Sequence, residues 1–248
     1  MLSHAAVQFS EISTFAWGQG NTTISYDYDA NGSLTSKVTV KRTGPETTEF
    51  VEGRRYEYNP QNRLSKLWDA GADEQLNTAD DVLLAEYRYN PQGIRIEKVD
   101  YEKSPAERTT YLIDPANPAG YAQVLEETTY TDDGQGGWTP ASRIHYCVGD
   151  DILAQTRSTW DTDHWTAAPT QYLLYDGHGS TRQLAGSAQT IQENYNYDGY
   201  GTLLQDSSAE SNPGVTPEQD TSLLYAGEQF DMTSQFYNNR ARWYNPLN

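Results

Sequence analysis

Directly after Asp176 stands Gly177-His178-Gly179-Ser180, which sets a carboxylate, an imidazole and a hydroxyl within five residues. These are the groups of serine-based acyl transfer, in which the hydroxyl attacks, the imidazole takes its proton and the acid orients the imidazole. A nucleophile elbow reads Gly-x-Ser-x-Gly, whereas here Ser180 is followed by Thr181 and Arg182. No catalytic residue is expected there. The chain is acidic enough to hold carboxylate pairs of the kind glycosidases use, but no pair stands out from the background.

A second cluster, "DAGADEQLNTADD" (69–81), carries Asp69, Asp73, Glu74, Asp80 and Asp81. Calcium takes oxygen ligands from loops of this kind, but the ordered Asp-x-Asp-x-Asp-Gly frame is missing. The expectation is a solvated acidic loop, with no metal and no cofactor assigned. Cys147 is the single cysteine, so no internal disulfide can form. Its expected role is a small buried side chain; a reactive thiol would need a base, and His145 shares its face if the segment is a strand.

The residues "FYNNRARWYNPLN" (236–248) combine Arg240 and Arg242 with four aromatic rings and no carboxylate side chain. A basic aromatic stretch suggests nucleic acid, but the chain as a whole has 17 Lys+Arg against 35 Asp+Glu, a net charge of -18. That field repels phosphate backbones and anionic lipid, so neither nucleic acid nor a membrane surface is an expected partner. The stretch reads as one strand. Tyr237, Asn239, Ala241 and Trp243 lie on one face, and Phe236, Asn238, Arg240, Arg242 and Tyr244 on the other.

The elements that would carry these residues are strands. Nineteen tyrosines and six tryptophans against two methionines favour half-buried pleated surfaces. No segment shows sustained helical periodicity with caps; "YAQVLEETTY" has some helical propensity but reads as a strand. No run approaches the roughly 18 apolar residues of a membrane span, and the first residues lack a basic start followed by an apolar stretch. Any export would use a signal outside this sequence, or none. The stretches 131–140 and 206–221 read as exposed loops.

A repeat runs through the chain. "YDYDANGSL" (26–34), "YEYNPQNRL" (56–64), "YRYNPQGIR" (87–95), "YLLYDGHGSTRQL" (172–184) and "YNYDGYGTLL" (195–204) share tyrosines, then Asp or Asn, two variable residues, and Gly or Asn. In a type I turn the first residue is Asp or Asn, whose side chain accepts backbone amide bonds, and Pro suits the second. The fourth takes positive φ and closes a hairpin through a G1 bulge, which Gly does freely and Asn tolerates. Turns are predicted to begin at residues 29, 59, 90, 176 and 198, with Asp114-Pro115-Ala116-Asn117 a sixth and Gly149-Asp150-Asp151 a degenerate one. Each Tyr-x-Tyr puts two rings on one strand face, so the hairpins carry a tyrosine stripe.

This frame resembles the YD repeat of rearrangement-hotspot (Rhs) proteins, toxin-complex C components and teneurins. "YLIDPANPAGYAQVLEE", "YLLYDGHGSTRQL", "YNYDGYGTLL" and "LLYAGEQFDMTSQFYNNRARWYNP" resemble, in that order, segments of the Rhs-repeat-associated core. The resemblance implies an all-β chain of repeated antiparallel hairpins in a curved or spiralling sheet, part of a shell that holds a C-terminal toxin or effector. It divides the chain into a lead-in (1–25), YD-type repeats (26–100) and a core-like segment (101–248) that stops before the plug and any toxin. It implies a secreted or cell-surface, non-catalytic scaffold. Its partners would be effector cargo and further YD repeats, and open sheet edges would favour edge-to-edge self-association. Gln235 stands where the family has Gly, and Asn245-Pro246 where it has Asp-Pro. The aspartates of family self-cleavage have no counterpart in this sequence, so no protease is carried over. The alternative from another class is an extracellular carbohydrate-binding or adhesion module using exposed tyrosine stripes.

Overall fold

The computed structural model describes residues 11–16, 21–116, 120–204 and 220–247. They form strands, turns and two single-turn 3-10 segments, so the all-β expectation holds for the described residues. Two compact units divide within one strand, one running to Tyr87 and the other from Arg88.

In the first unit β1 (Glu11–Ala16), β2 (Asn21–Tyr28), β3 (Leu34–Arg42), β4 (Thr48–Tyr58), β5 (Leu64–Asp69) and β6 (Val82–Tyr89) pair antiparallel in chain order. The buried positions are the first tyrosine of each Tyr-x-Tyr and the leucine that opens each return: Tyr26 and Leu34, Tyr56 and Leu64, then Tyr87. The first ring of each pair in the stripe is therefore core, and the second is half-buried. Burying each ring contributes about 1.5–3 kcal/mol, which explains why the repeat keeps it.

The second unit continues the same grammar. Strands β7 (Arg95–Asp100), β8 (Glu107–Asp114), β9 (Gln123–Asp132), β10 (Trp138–Val148), β11 (Ile152–Asp161), β13 (Gln171–Tyr175), β14 (Thr181–Gly186) and β15 (Ile191–Asn194) pair in order, and β12 (His164–Ala167) pairs beside β11. A separate three-stranded sheet follows, β16 (Gln229–Asp231), β17 (Phe236–Asn239) and β18 (Arg242–Tyr244). The core joins the two: Ile144, Tyr146, Ile152, Leu173, Leu184 and Tyr195 meet Leu223, Leu224 and Tyr237.

The turns use one bonding scheme. Asp29 Oδ1 accepts the amides of Asn31 (2.9 Å) and Ser33 (2.8 Å), the Asp29 amide donates to Ser33 O, and Gly32 at φ 79° donates back to Asp29 O. Asn59, Asp176 and Asp198 repeat it with both side-chain bonds, and Asn90 with its bond to Ile94. Where glycine is absent, Asn62 takes φ 59°. At Asp114 the side chain accepts the Ala116 amide at 3.0 Å, while Asn117 lies outside the described residues. Gly149–Asp151 joins β10 to β11, with Val148 opposite Ile152.

Three expectations need correction. Residues 131–140 are a hairpin rather than an exposed loop: Asp133 Oδ1 accepts the amides of Gln135 and Gly137, both at 2.8 Å, and Gly136 takes φ 87°. Most of 206–221 lies outside the described residues. Cys147 is exposed, not buried. The register shifts between Pro140 and Ser142, and beyond that bulge Ile144 and Tyr146 face the core while Arg143, His145 and Cys147 face away. Finally, 236–244 is a hairpin rather than one strand. Arg240 takes φ 59°, Ala241 N donates to Asn239 O, and Tyr237 pairs with Tyr244, so rings expected on opposite faces share one.

Candidate functional site

Within the second unit, the segment from Asp220 to Leu247 lies across one face of that unit's long sheet and is bound to it by polar contacts as well as by the core. Its first tie is main-chain: Thr181 N donates to Leu224 O (3.0 Å) and the Thr181 hydroxyl to Leu223 O (2.7 Å). Both threonine and leucines are buried, so these bonds are shielded from water.

The second tie is ionic. Asp231 stands 3.4 Å from Arg95 and 3.2 Å from Lys98, and its other oxygen accepts the Ser234 amide at 2.9 Å. Arg95 also donates to Gln229 Oε1 at 3.0 Å and stacks on Tyr111 (4.4 Å) and Trp243 (5.2 Å). Lys98 reaches Asp100 (3.2 Å) and the Thr233 hydroxyl (2.8 Å), which donates to Asp100 at 2.6 Å. Burial alone would raise the Asp231 pKa, but the Lys98 and Arg95 cations outweigh it and hold the carboxyl below its ordinary range. Burial likewise works against the Lys98 ammonium, and Asp231 and Asp100 overcome it, raising its pKa.

A third tie centres on Glu127, whose Oε1 accepts from the Tyr146 hydroxyl (2.8 Å), the Ser222 hydroxyl (2.7 Å) and the Gln229 amide (2.8 Å). Burial, then the Glu127 charge, pushes the Tyr146 phenol well above its ordinary value, and burial takes Tyr111 to about 12. Arg240 closes the rim. It pairs with Glu228 at 2.5 Å, donates to Ala122 O at 3.1 Å and lies 4.0 Å over Tyr121. Beneath is a cavity of about 240 Å³ lined in part by Arg95, Gln123, Glu228, Asn238 and Arg240. Gln123 Oε1 is buried there without a hydrogen-bond partner.

The arrangement is a clamp. It holds charges in fixed pairs and sets no nucleophile beside a free base. His178 lies against Tyr225, with centroids 5.3 Å apart, while the Ser180 hydroxyl accepts the Ala226 amide at 3.0 Å. Asp176 is engaged by its own turn, so the triad residues are brought close but spent on structure. In the acidic loop Asp73 accepts the Gln75 amide, Asp80 those of Asp73 and the Thr78 hydroxyl, and Asp81 the Asn77 amide and Arg55 at 3.0 Å. No group of three His, Cys, Asp or Glu is placed to hold a metal among the described residues. His145 sits 3.0 Å from Glu126, on the face it shares with exposed Cys147.

No protein-family model matches the chain. It is 22% identical over 261 aligned residues to the tRNA3(Ser)-specific nuclease WapA of Bacillus spizizenii, across 93% of this chain and 9% of that protein. Among solved structures it is similar to TcdB2-TccC3, at 19% identity and a TM-score of 0.55 over 92% of this chain and 12% of that one. The same complex without its hypervariable C-terminal region gives 17% identity and a TM-score of 0.54 over the same shares. The chain thus spans about a tenth of the length of the relatives it matches. The structural likeness is one of fold, and it supports the relationship to Rhs/YD-repeat shells drawn from the turn frame.

Proposed function

We propose that this chain is wall and cap of a toxin-associated β-shell that encloses and delivers a C-terminal effector, with no catalysis of its own. The observation that carries the reading is the clamp: the chain turns its own segment 220–247 onto one face of its sheet and fixes it with buried charges, as an end closure requires. Hairpins paired in chain order suit a wall, because each added repeat extends the ladder by the same local turn chemistry. The nuclease activity in the relative's name belongs to a protein of which this chain matches 9%. In this reading the YD repeats (26–100) are wall and the core-like segment (101–248) supplies the closure.

The partners in this reading are effector cargo and further YD repeats, with secretion or cell-surface display as the destination. Unpaired strand edges favour edge-to-edge self-association where no further repeat covers them. The burial of Tyr26, Tyr56 and Tyr87 favours this reading over the tyrosine-stripe adhesion one, because it takes the first ring of those three repeats out of reach of a ligand. The test is limited proteolysis of the full gene product: sequence downstream of this chain is expected to be protected until the wall is cut or unfolded. Cargo digested as fast in the intact protein as alone would overturn the reading, and nuclease or hydrolase activity of the purified chain would overturn its non-catalytic part.

A further inference from the structure

The cavity beneath Arg240, walled by the second unit's sheet and by the segment 220–247, is lined by acceptors that remain open. Gln123 Oε1 is buried and accepts no hydrogen bond. Glu228 accepts Arg240 through Oε1, and among the described residues its other oxygen accepts nothing. Asp151 accepts the Ile152 amide through Oδ1 at 2.8 Å and likewise leaves its other oxygen open. The cations of the lining are committed, Arg240 to Glu228 and Ala122 O, and Arg95 to Asp231 and Gln229.

The two carboxylates of the clamp differ in how far cations answer their burial. Asp231 has Arg95 at 3.4 Å and Lys98 at 3.2 Å, and its carboxyl is held below the ordinary range. Glu228 has Arg240 alone among the described residues; burial outweighs it and keeps the carboxyl above the ordinary range. The carboxylate beside the cavity is therefore the one whose charge is incompletely answered, and its missing complement is a second cation. The rest of the lining sets the shape of that cation. Ile94, Ile113, Val124 and Ile152 are aliphatic, a wall that suits methylene groups rather than a hydrated ion. An ammonium has three donors and no acceptor, which suits open oxygens of this kind. The net charge of -18 draws cations towards the chain.

We propose that this cavity binds a primary ammonium on a short aliphatic stem, with the charge held by Glu228, Asp151 and Gln123 Oε1 and the stem against the aliphatic wall. A free diamine and a lysine side chain carry the same chemistry, and a volume of about 240 Å³ admits either. The site rests on the cavity and not on the shell reading. A metal ion is a poorer occupant, since no group of three His, Cys, Asp or Glu is placed to hold one among the described residues. An anion would set its charge against Glu228 and Asp151, with both guanidiniums already paired.

The test is titration of the whole chain with cadaverine and with Nα-acetyl-lysine methylamide. Pentanol supplies the stem without charge, and ammonium chloride the charge without stem. At least one of the two amines is expected to bind roughly tenfold more tightly than either control, and the tighter of the two identifies the source. Glu228→Gln keeps the side chain's shape and removes its charge, and is expected to weaken that binding roughly tenfold. Glu193→Gln, at a half-buried carboxylate outside the cavity, should leave it unchanged. If the Glu228 variant fails to fold, NMR of the unaltered chain replaces it, and the amine must then shift the Gln123 side-chain amide and the Val124 and Ile152 methyl groups. Absence of binding, equal binding of pentanol or ammonium, full affinity in the Glu228 variant, or shifts confined to residues away from the cavity each overturns the proposal.

Discussion

The phenol of Tyr58 donates to the main-chain oxygen of Leu34 at 2.9 Å, tying the residue before one turn to the residue that opens the previous hairpin's return. Tyr175 makes the same bond to Ile152 O, and Tyr197 to Thr181 O at 2.8 Å. In each case the accepting residue is the one paired with the residue before the previous turn, namely Tyr28, Val148 and Tyr175. At these three turns the second tyrosine is thus a latch between successive hairpins, while the first tyrosine is core at Tyr26, Tyr56, Tyr87 and Tyr195.

Replacing a latch tyrosine by phenylalanine keeps the ring and removes one hydrogen bond. Tyr58→Phe, Tyr175→Phe and Tyr197→Phe are each expected to cost about 1 kcal/mol. Tyr58 and Tyr197 lie in different units and share no partner, so their effects should add. Tyr200→Phe, at a side chain 69% exposed, should change nothing. Denaturant melts with an unchanged slope would check this, and a null result at all three latches would remove the role.

The turns offer a test of opposite sign at two positions. Gln235 holds φ 60° and donates its amide to Asp231 O at 2.7 Å, so the turn forms with a side chain at a left-handed position that glycine would occupy without strain. Left-handed backbone costs a non-glycine residue roughly 1–2 kcal/mol, and the extra freedom of unfolded glycine returns part of that. Gln235→Gly should therefore raise stability by about 0.5–1 kcal/mol. Gly201→Ala should lower it, since φ is 90° and the added Cβ would meet the Tyr225 ring at 2.5 Å. Thermal melts of the two variants should move in opposite directions.

Much of the sheet was legible because its turns are local. An Asp or Asn that caps its own turn must lie within four residues of the amides it binds, so five turns could be placed from the sequence alone. Asp133 obeys the same rule but sits in a glycine-rich stretch that resembles a loop. Cys147 was misplaced because residue type suggests burial, whereas its face is set by a bulge at Pro140–Ser142 that no residue announces. The hairpin at Arg240 was hidden for a similar reason, since arginine rarely takes φ 59°. The clamp was not legible at all: Arg95 and Asp231 are 136 residues apart, and nothing local marks either as a partner.

Alkali should unfold the protein sharply. Burial, with smaller effects from neighbouring charges and hydrogen bonds, raises the phenol pKa of Tyr56, Tyr146, Tyr175, Tyr195, Tyr197 and Tyr237 above the ordinary value, and takes Tyr111 to about 12. A group with a raised folded-state pKa contributes stability that is complete below its unfolded value, about 10, and is lost as pH rises through the folded value. Melting temperature should hold to about pH 10 and then fall steeply. The ultraviolet phenolate band should appear together with loss of the β-sheet signal, and phenolate forming gradually in a folded chain would contradict the buried stripe.

At low pH the clamp predicts a different profile. The folded-state pKa of Asp231 is depressed, so its contribution is complete above the unfolded value of about 4 and is lost as pH falls through the lower folded value. Glu228 and Glu193 are raised by burial, against Arg240 in the first case and the Tyr195 hydrogen bond in the second. Their contribution is therefore present below about 4.3 and is lost as pH rises through their folded values. Mild acidification should first relieve these two carboxylates, and stability should fall only once Asp231 protonates. Asp231→Asn leaves Arg95 and Lys98 without their shared anion, which at a buried site costs about 3 kcal/mol. The gap between variant and unaltered chain should be largest near neutral pH, begin to narrow below about pH 4 and close only as pH falls through the depressed folded-state value, where both lack the charge. Chemical denaturation across that range measures it, and a gap independent of pH would show that Asp231 acts through its hydrogen bonds to Ser234 rather than through the ion pairs.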